Sequence, residues 1–240
     1  MSKKHYFLIL DSETTQTDRV ADLGLIVCDR KGRIYAQAAI LVREYFLNAE
    51  EHPLFHTSGQ ADPLWGKANL PKRYRAYQDM LENGSRILAS VNAVNIWLAK
   101  ALQTYNPTLT AYNLSFDAGK CANSGIDLTG FEKRFCLWHA AAMRWGHSKA
   151  FRDMVLQTGA FNKMTPYGNW SYQTNAEVMA RFVTGNPALE PEPHTAFEDA
   201  LHYELPILTR LVNEVPRKEY LAASGYDWRK FQVKDYYVAK

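Results

Sequence analysis

The sequence predicts an α/β domain built on a mixed sheet flanked by helices. Two observations carry this: apolar runs of strand length come first and close together, and segments of helical and strand period then alternate. The size agrees, since 240 residues suit one large domain and 47% hydrophobic residues supply a substantial core.

Residues 5–10, "HYFLIL", read as a short buried strand. "VADLGLIVCD" (20–29) and "RIYAQAAILV" (33–42) read as two more around "DRKGR", whose Gly32 suits a hairpin turn. The chain therefore opens with a three-strand antiparallel meander. Residues 43–85 read as an irregular insertion with prolines at 53, 63 and 71 and one short helix near 72–82. Ser85 is the expected cap of the next helix, because Ile87, Val91, Val94, Leu98 and Ala101 recur at helical spacing before Pro107 closes it. "TLTAY" (108–112) is a strand, and Ser115 opens a helix that Gly125 ends. A strand at 133–137 precedes a helix over 138–147, and the Gly- and Asn-rich stretch 158–173 reads as a loop. Thr174 with Glu177, and Thr195 with Glu198, form capping boxes for the last two helices, the second running to about 214. Pro206 lies inside that helix and is expected to kink or break it. Residues 215–240 form a basic, aromatic extension able to dock a protein partner.

Lys and Arg number 28 against 25 Asp and Glu, a net +3 that does not by itself argue for nucleic acid. Distribution says more. Lys67, Lys72, Arg73 and Arg75 sit together without an acid, whereas Glu190, Glu192, Glu198 and Asp199 sit together without a base. An acidic pocket with separate basic surfaces suits metal ions and phosphates. Cys28, Cys121 and Cys136 have no paired or metal-ligand spacing, which points to a reducing cytoplasm. No apolar run reaches membrane-spanning length, and the one after Lys3 and Lys4 is too short for a signal peptide.

The residues that carry chemistry are Asp11 and Glu13 in "LDSETT", Asp117 in "YNLSFD", and His194 with Asp199 in "HTAFEDA". Residues two apart on a strand project to one side, so Asp11 and Glu13 aim at one point. Asp117 falls in a first helical turn, where the dipole favours an anion. With Thr195 as the cap, His194 falls on the preceding loop, from which it leans over the pocket that Asp199 enters. Taken singly, each has a bland reading as a polar turn, a helix-start aspartate or a surface histidine. Carboxylates gathered from distant segments repel one another unless cations hold them together, so a metal site follows if they converge.

Together, "DSETT", "NLSFD" and "HTAFEDA" resemble, in order and type, the three motifs of the DEDDh (DnaQ-like) exonucleases, over roughly residues 5–214. Gln16 stands where many of that family have glycine, and the stretches 43–85 and 158–173 depart from its compact members. The resemblance implies a ribonuclease H-like fold and a 3′–5′ exonuclease with two divalent cations, Mg2+ or Mn2+. Asp11 would bridge the cations, Glu13 and Asp199 would serve one and Asp117 the other. His194 would be the general base, its ordinary pKa of about 6.5 suiting neutral pH. Single-stranded DNA 3′ ends are the expected substrate, with RNA ends as the alternative and a non-catalytic binding module as a third reading. Thr14, Asn113 and Phe116 are candidates for the terminal nucleotide, although Phe116 reads more naturally as core. Lys72, Arg73 and Arg75, with nearby tyrosines, are candidates for the strand.

Overall fold

A computed structural model of the chain describes residues 4–15, 17–47, 70–162, 170–225 and 232–233, of which 70–74, 162 and 232–233 are described by backbone alone. The strands β1 (Tyr6–Thr14), β2 (Val20–Asp29) and β3 (Ile34–Val42) form the expected antiparallel meander. Its register sets Asp11 opposite Gly24 and Glu13 opposite Asp22. β4 (Ile87–Ala89) joins the outer edge of β3 in parallel. On the other side β5 (Thr108–Ala111) runs parallel to β1, and β6 (Arg134–Cys136) parallel to β5. The six strands run in the order β4-β3-β2-β1-β5-β6, consistent with a ribonuclease H-like arrangement.

Strand alternation divides the core in two. Phe7, Ile9, Ile26 and Cys28 face one side, covered by α5 (Leu137–Trp145), α7 (Ala176–Thr184) and α9 (Leu205–Glu214). Leu8, Leu10, Leu23, Leu25 and Val27 face the other, against α3 (Val91–Tyr105) and α4 (Leu114–Asn123). Because both faces of β2 are covered, its sequence is nearly continuous apolar rather than alternating. Asp22 and Gly24 interrupt that run, and both serve the site described below.

Several local expectations are corrected. Ser85 caps nothing: residues 87–89 are an edge strand, with Ile87 56% exposed, and the helix begins only at Val91. Its cap is Ser90, whose side chain accepts the Ala93 N–H at 3.2 Å. Asn113, not Ser115, precedes α4, and Asn175, not Thr174, caps α7 by accepting from the Val178 N–H. A helix absent from the sequence reading, α6 (Lys149–Thr158), starts at Ser148. The stretch read as a loop holds β7 (Phe161–Asn162) and β8 (Trp170–Tyr172), and β8 also pairs with β9 (Gln232–Val233). Within the insertion lie α1 (Arg43–Phe46) and α2 (Leu70–Glu82), while residues 48–69 and Gln16 fall outside the described residues. α10 (Arg217–Ala222) packs Tyr220 into the first core, against Phe7 and Phe135.

The final helical run is distorted where Pro206 demanded, but it does not break. α8 (Ala196–Asp199) passes through a π turn (Ala200–Glu204) into α9, which opens with that proline. Proline has no N–H to give and its ring crowds the carbonyl four residues back; a widened turn relieves both demands. Among the described residues, no helix is long and apolar enough to cross a membrane.

Candidate functional site

Asp11 and Glu13 follow Phe7 and Ile9 along the same face of β1, so the apolar stripe gives way to carboxylates toward the strand's C-terminal end. Across the register, Gly24 leaves room for a second element. A Cβ there would lie 2.4 Å from the Ala196 carbonyl oxygen and 2.7 Å from Phe197 Cα. The backbone of α8 thus rests directly on β2 beside Asp11, and only glycine allows that approach.

A buried ionic network holds α8 there. The Thr195 side chain makes no capping bond. Instead Asp22 Oδ2 accepts the Ala196 N–H at 3.0 Å, a cap supplied by a neighbouring strand. Arg86 Nε donates to Asp22 Oδ1 at 3.1 Å, and its terminal nitrogens donate to both carboxylate oxygens of Glu198. Tyr77 donates its hydroxyl to Asp22 at 2.9 Å. Burial pushes the Asp22 carboxyl up, against the opposing pull of Arg86 and these hydrogen bonds.

His194 precedes α8 with φ 53°, a left-handed conformation uncommon outside glycine. The ligand atoms of Glu13, His194 and Asp199 lie within 4.8 Å of one another, the one such group among the described residues. Asp117 arrives from the other side of β1, in the first turn of α4, and its Oδ1 accepts the Ser12 hydroxyl at 2.7 Å. Burial pushes the Asp117 carboxyl up to about 7, even against that hydrogen bond.

Glu204 was missed by sequence reasoning. It lies five residues after Asp199, and in a regular α-helix that separation is well over one turn. Across an i→i+5 π turn, residues five apart instead stack on one face. Glu204 is only 2% exposed; one carboxylate oxygen accepts the Tyr112 N–H at 3.0 Å and the other, Oε2, is buried without a hydrogen-bond partner. Leaving such a group unsatisfied costs about 1–3 kcal/mol, more when it is charged. Asp11 registers the crowding: its carboxyl is driven well up by burial, then by Glu204, Asp117, Asp199 and Glu13. Burial and Asp117 likewise drive Glu204 up.

Oxygen donors, one imidazole and no thiolate form a donor set for hard divalent cations. The orphaned Glu204 oxygen and the mutual repulsion at Asp11 are the features that bound cations would relieve, so these residues fit such ions.

The expected substrate contacts divide. Phe116, read as more at home in the core, is 46% exposed beside Asp117, with Lys120 Nζ 4.7 Å from its ring centre. Asn113 lies at the start of the same helix and accepts the Ser115 hydroxyl. Thr14 is buried, which turns its side chain into the fold. Arg75 is exposed on α2, whereas the side chains of Lys72 and Arg73 lie outside the described residues. No family model, no curated protein and no solved structure matches this chain.

Proposed function

We propose that this chain is a metal-dependent 3′–5′ exonuclease of the DEDDh type, cleaving phosphodiester bonds at the 3′ ends of single-stranded DNA. The observation that carries the reading is the convergence on Asp11 of carboxylates from β1, α4, α8 and the π turn, with His194 beside Glu13 and Asp199. Nothing in ordinary packing calls for so much like charge in one place.

Asp11, Glu13, Asp117 and Asp199 would hold two Mg2+ or Mn2+ ions, with Glu204 close enough to act on Asp11. When bound, such ions neutralise the scissile phosphate and favour in-line displacement by water. The chain's own residues do the rest. His194, half-buried beside Glu13 and Asp199, takes the proton from the attacking water. Asp22 and Arg86 keep α8, and hence His194 and Asp199, seated against β1. The exposed Phe116 ring and the adjacent Lys120 ammonium suit a base face and a backbone phosphate. Three buried free thiols support a reducing, cytoplasmic setting.

End-labelled DNA and RNA of one sequence, digested with magnesium or with chelator, test the reading. Mononucleotides should appear from the 3′ end only, with cation only, and not with Asp11→Ala. His194→Ala should still bind the strand yet lose about 10²–10⁴ in rate. Oligomers that stay bound and intact in every lane would leave a binding module. Faster loss of the RNA would move the substrate to RNA ends.

A further inference from the structure

The opposite end of the sheet from the carboxylates holds a second feature: a cavity of about 710 Å3 where the start of β1, the β2–β3 turn and the α9–α10 junction meet. Lys4, Arg30, Lys31, Arg33 and Arg217 line it, with Asp29 as the acidic lining residue. Asp29 is already committed, accepting the Lys31 and Arg33 backbone N–H groups and the Tyr35 hydroxyl. Among the described residues, none of the five cations has a carboxylate within ion-pair distance. Lys4 and Arg33 both lie over the Tyr35 ring, 5.2 and 5.5 Å from its centre, so these two are held by an aromatic rather than by acids, while Arg30 donates to the Val212 carbonyl. Burial, then Arg217, Arg30 and Lys133, push the His5 imidazole down to about 4. Burial is the larger cause, and the neighbouring cations add to it in the same direction. Val212, Val215 and Tyr220 supply an apolar floor that inorganic phosphate would leave unfilled, and the volume lies in the range of small-molecule sites.

We propose that this cavity binds the phosphate groups of a nucleotide unit, free or within a strand, with its base or sugar against the apolar floor. The site stands apart from the carboxylates, since six residues of extended strand from His5 to Asp11 span about 20 Å. It is therefore a second site, and its existence does not depend on whether the first cleaves anything.

The test is equilibrium binding to the full chain in chelator, so that hydrolysis has no bearing on the result. A fluorescent adenosine triphosphate and a labelled oligothymidylate serve as ligands, each followed by anisotropy over a range of salt. Lys31→Glu with Arg217→Glu, both exposed, cancels the cavity's excess of positive charge. Lys100→Glu with Arg152→Glu makes the same charge change elsewhere on the surface. The expected result is at least a tenfold loss of affinity for one or both ligands in the cavity variant and little change in the control. For the strand, the salt dependence should also become shallower, by about 0.7 in log–log slope per lost phosphate contact. Loss of the triphosphate identifies a free nucleotide; loss of the oligomer alone identifies a strand. Equal losses in both variants, or no binding by the unaltered chain, would overturn the proposal.

Discussion

Adding one methyl group at Gly24 should damage the site far more than the fold. The alanine Cβ would lie 2.4 Å from the Ala196 carbonyl oxygen, so α8 must retreat by about 1 Å to restore ordinary contact. Overpacking of this kind costs about 1–3 kcal/mol, and each kcal/mol lowers Tm by about 2–4 °C in a chain of this size. A displacement of about 1 Å at a catalytic group, by contrast, costs about 100-fold in rate. His194 and Asp199 flank the segment that must move. Gly24→Ala should therefore lose several degrees of Tm but two orders of magnitude in 3′-end hydrolysis, with weaker Mn2+ binding by calorimetry. Gly130→Ala is the control, because its Cβ would meet only a Leu102 methyl carbon, at 2.7 Å, in the turn before β6. That side chain can rotate away, and activity should be retained. If Gly24→Ala hydrolyses within about threefold of the unaltered chain, the close approach does not position the site.

Arg86→Met keeps the side-chain volume but strands Asp22 in the core, and breaking a buried pair costs about 3–5 kcal/mol. Tm should fall by about 10 °C; a fall of a degree or two would mean that Asp22 is satisfied without its arginine. In chelator, stability should decline as pH rises. Asp117 titrates at about 7 when folded against 3.8 ordinarily, so the native chain keeps a proton that the unfolded chain has released across that window. The loss from Asp117 alone is at most roughly 4 kcal/mol, complete above pH 7, and Asp11 and Glu204 add in the same direction. Mg2+ or Mn2+ should accordingly raise Tm more at pH 8 than at pH 5, and an equal rise at both would contradict the crowding described here. Phe116→Ala should leave Tm unchanged, since the ring is 46% exposed, and should raise the Michaelis constant for a single strand. Unchanged kinetics would return Phe116 to ordinary surface.

Much of the fold was legible because its signals are local. The meander needs only three apolar runs and a Gly32 turn, and the helical period of Val91, Val94, Leu98 and Ala101 is visible without knowledge of neighbours. The misreadings occurred where two local signals competed. Ile87 continues the helical period backwards from Val91, so Ser85 looked like the cap; pairing with β3 claims residues 87–89 instead and leaves Ser90 to start the helix. α6 had a usable signal in Ser148 followed by Phe151 and Val155 at helical spacing, and both side chains are buried.

The site was legible only in part, and the boundary has a physical cause. Asp11, Glu13, Asp117, His194 and Asp199 could be named because their types and order form a pattern along the chain. Asp22, Gly24, Arg86 and Glu204 could not, because each acts across the sheet or through a distorted helix. Signals were present nonetheless: a carboxylate and a glycine interrupt an otherwise apolar buried strand, and a glutamate stands two residues before a proline inside a helix. The last of these joins the fold to the chemistry. Pro206 makes a regular helix unfavourable at that point, the π turn accommodates it, and the same turn swings Glu204 onto the face of Asp199. A regular helix there would send Glu204 elsewhere and remove the largest of the charges acting on Asp11. The irregularity that looked like a defect in the sequence is what completes the acidic group.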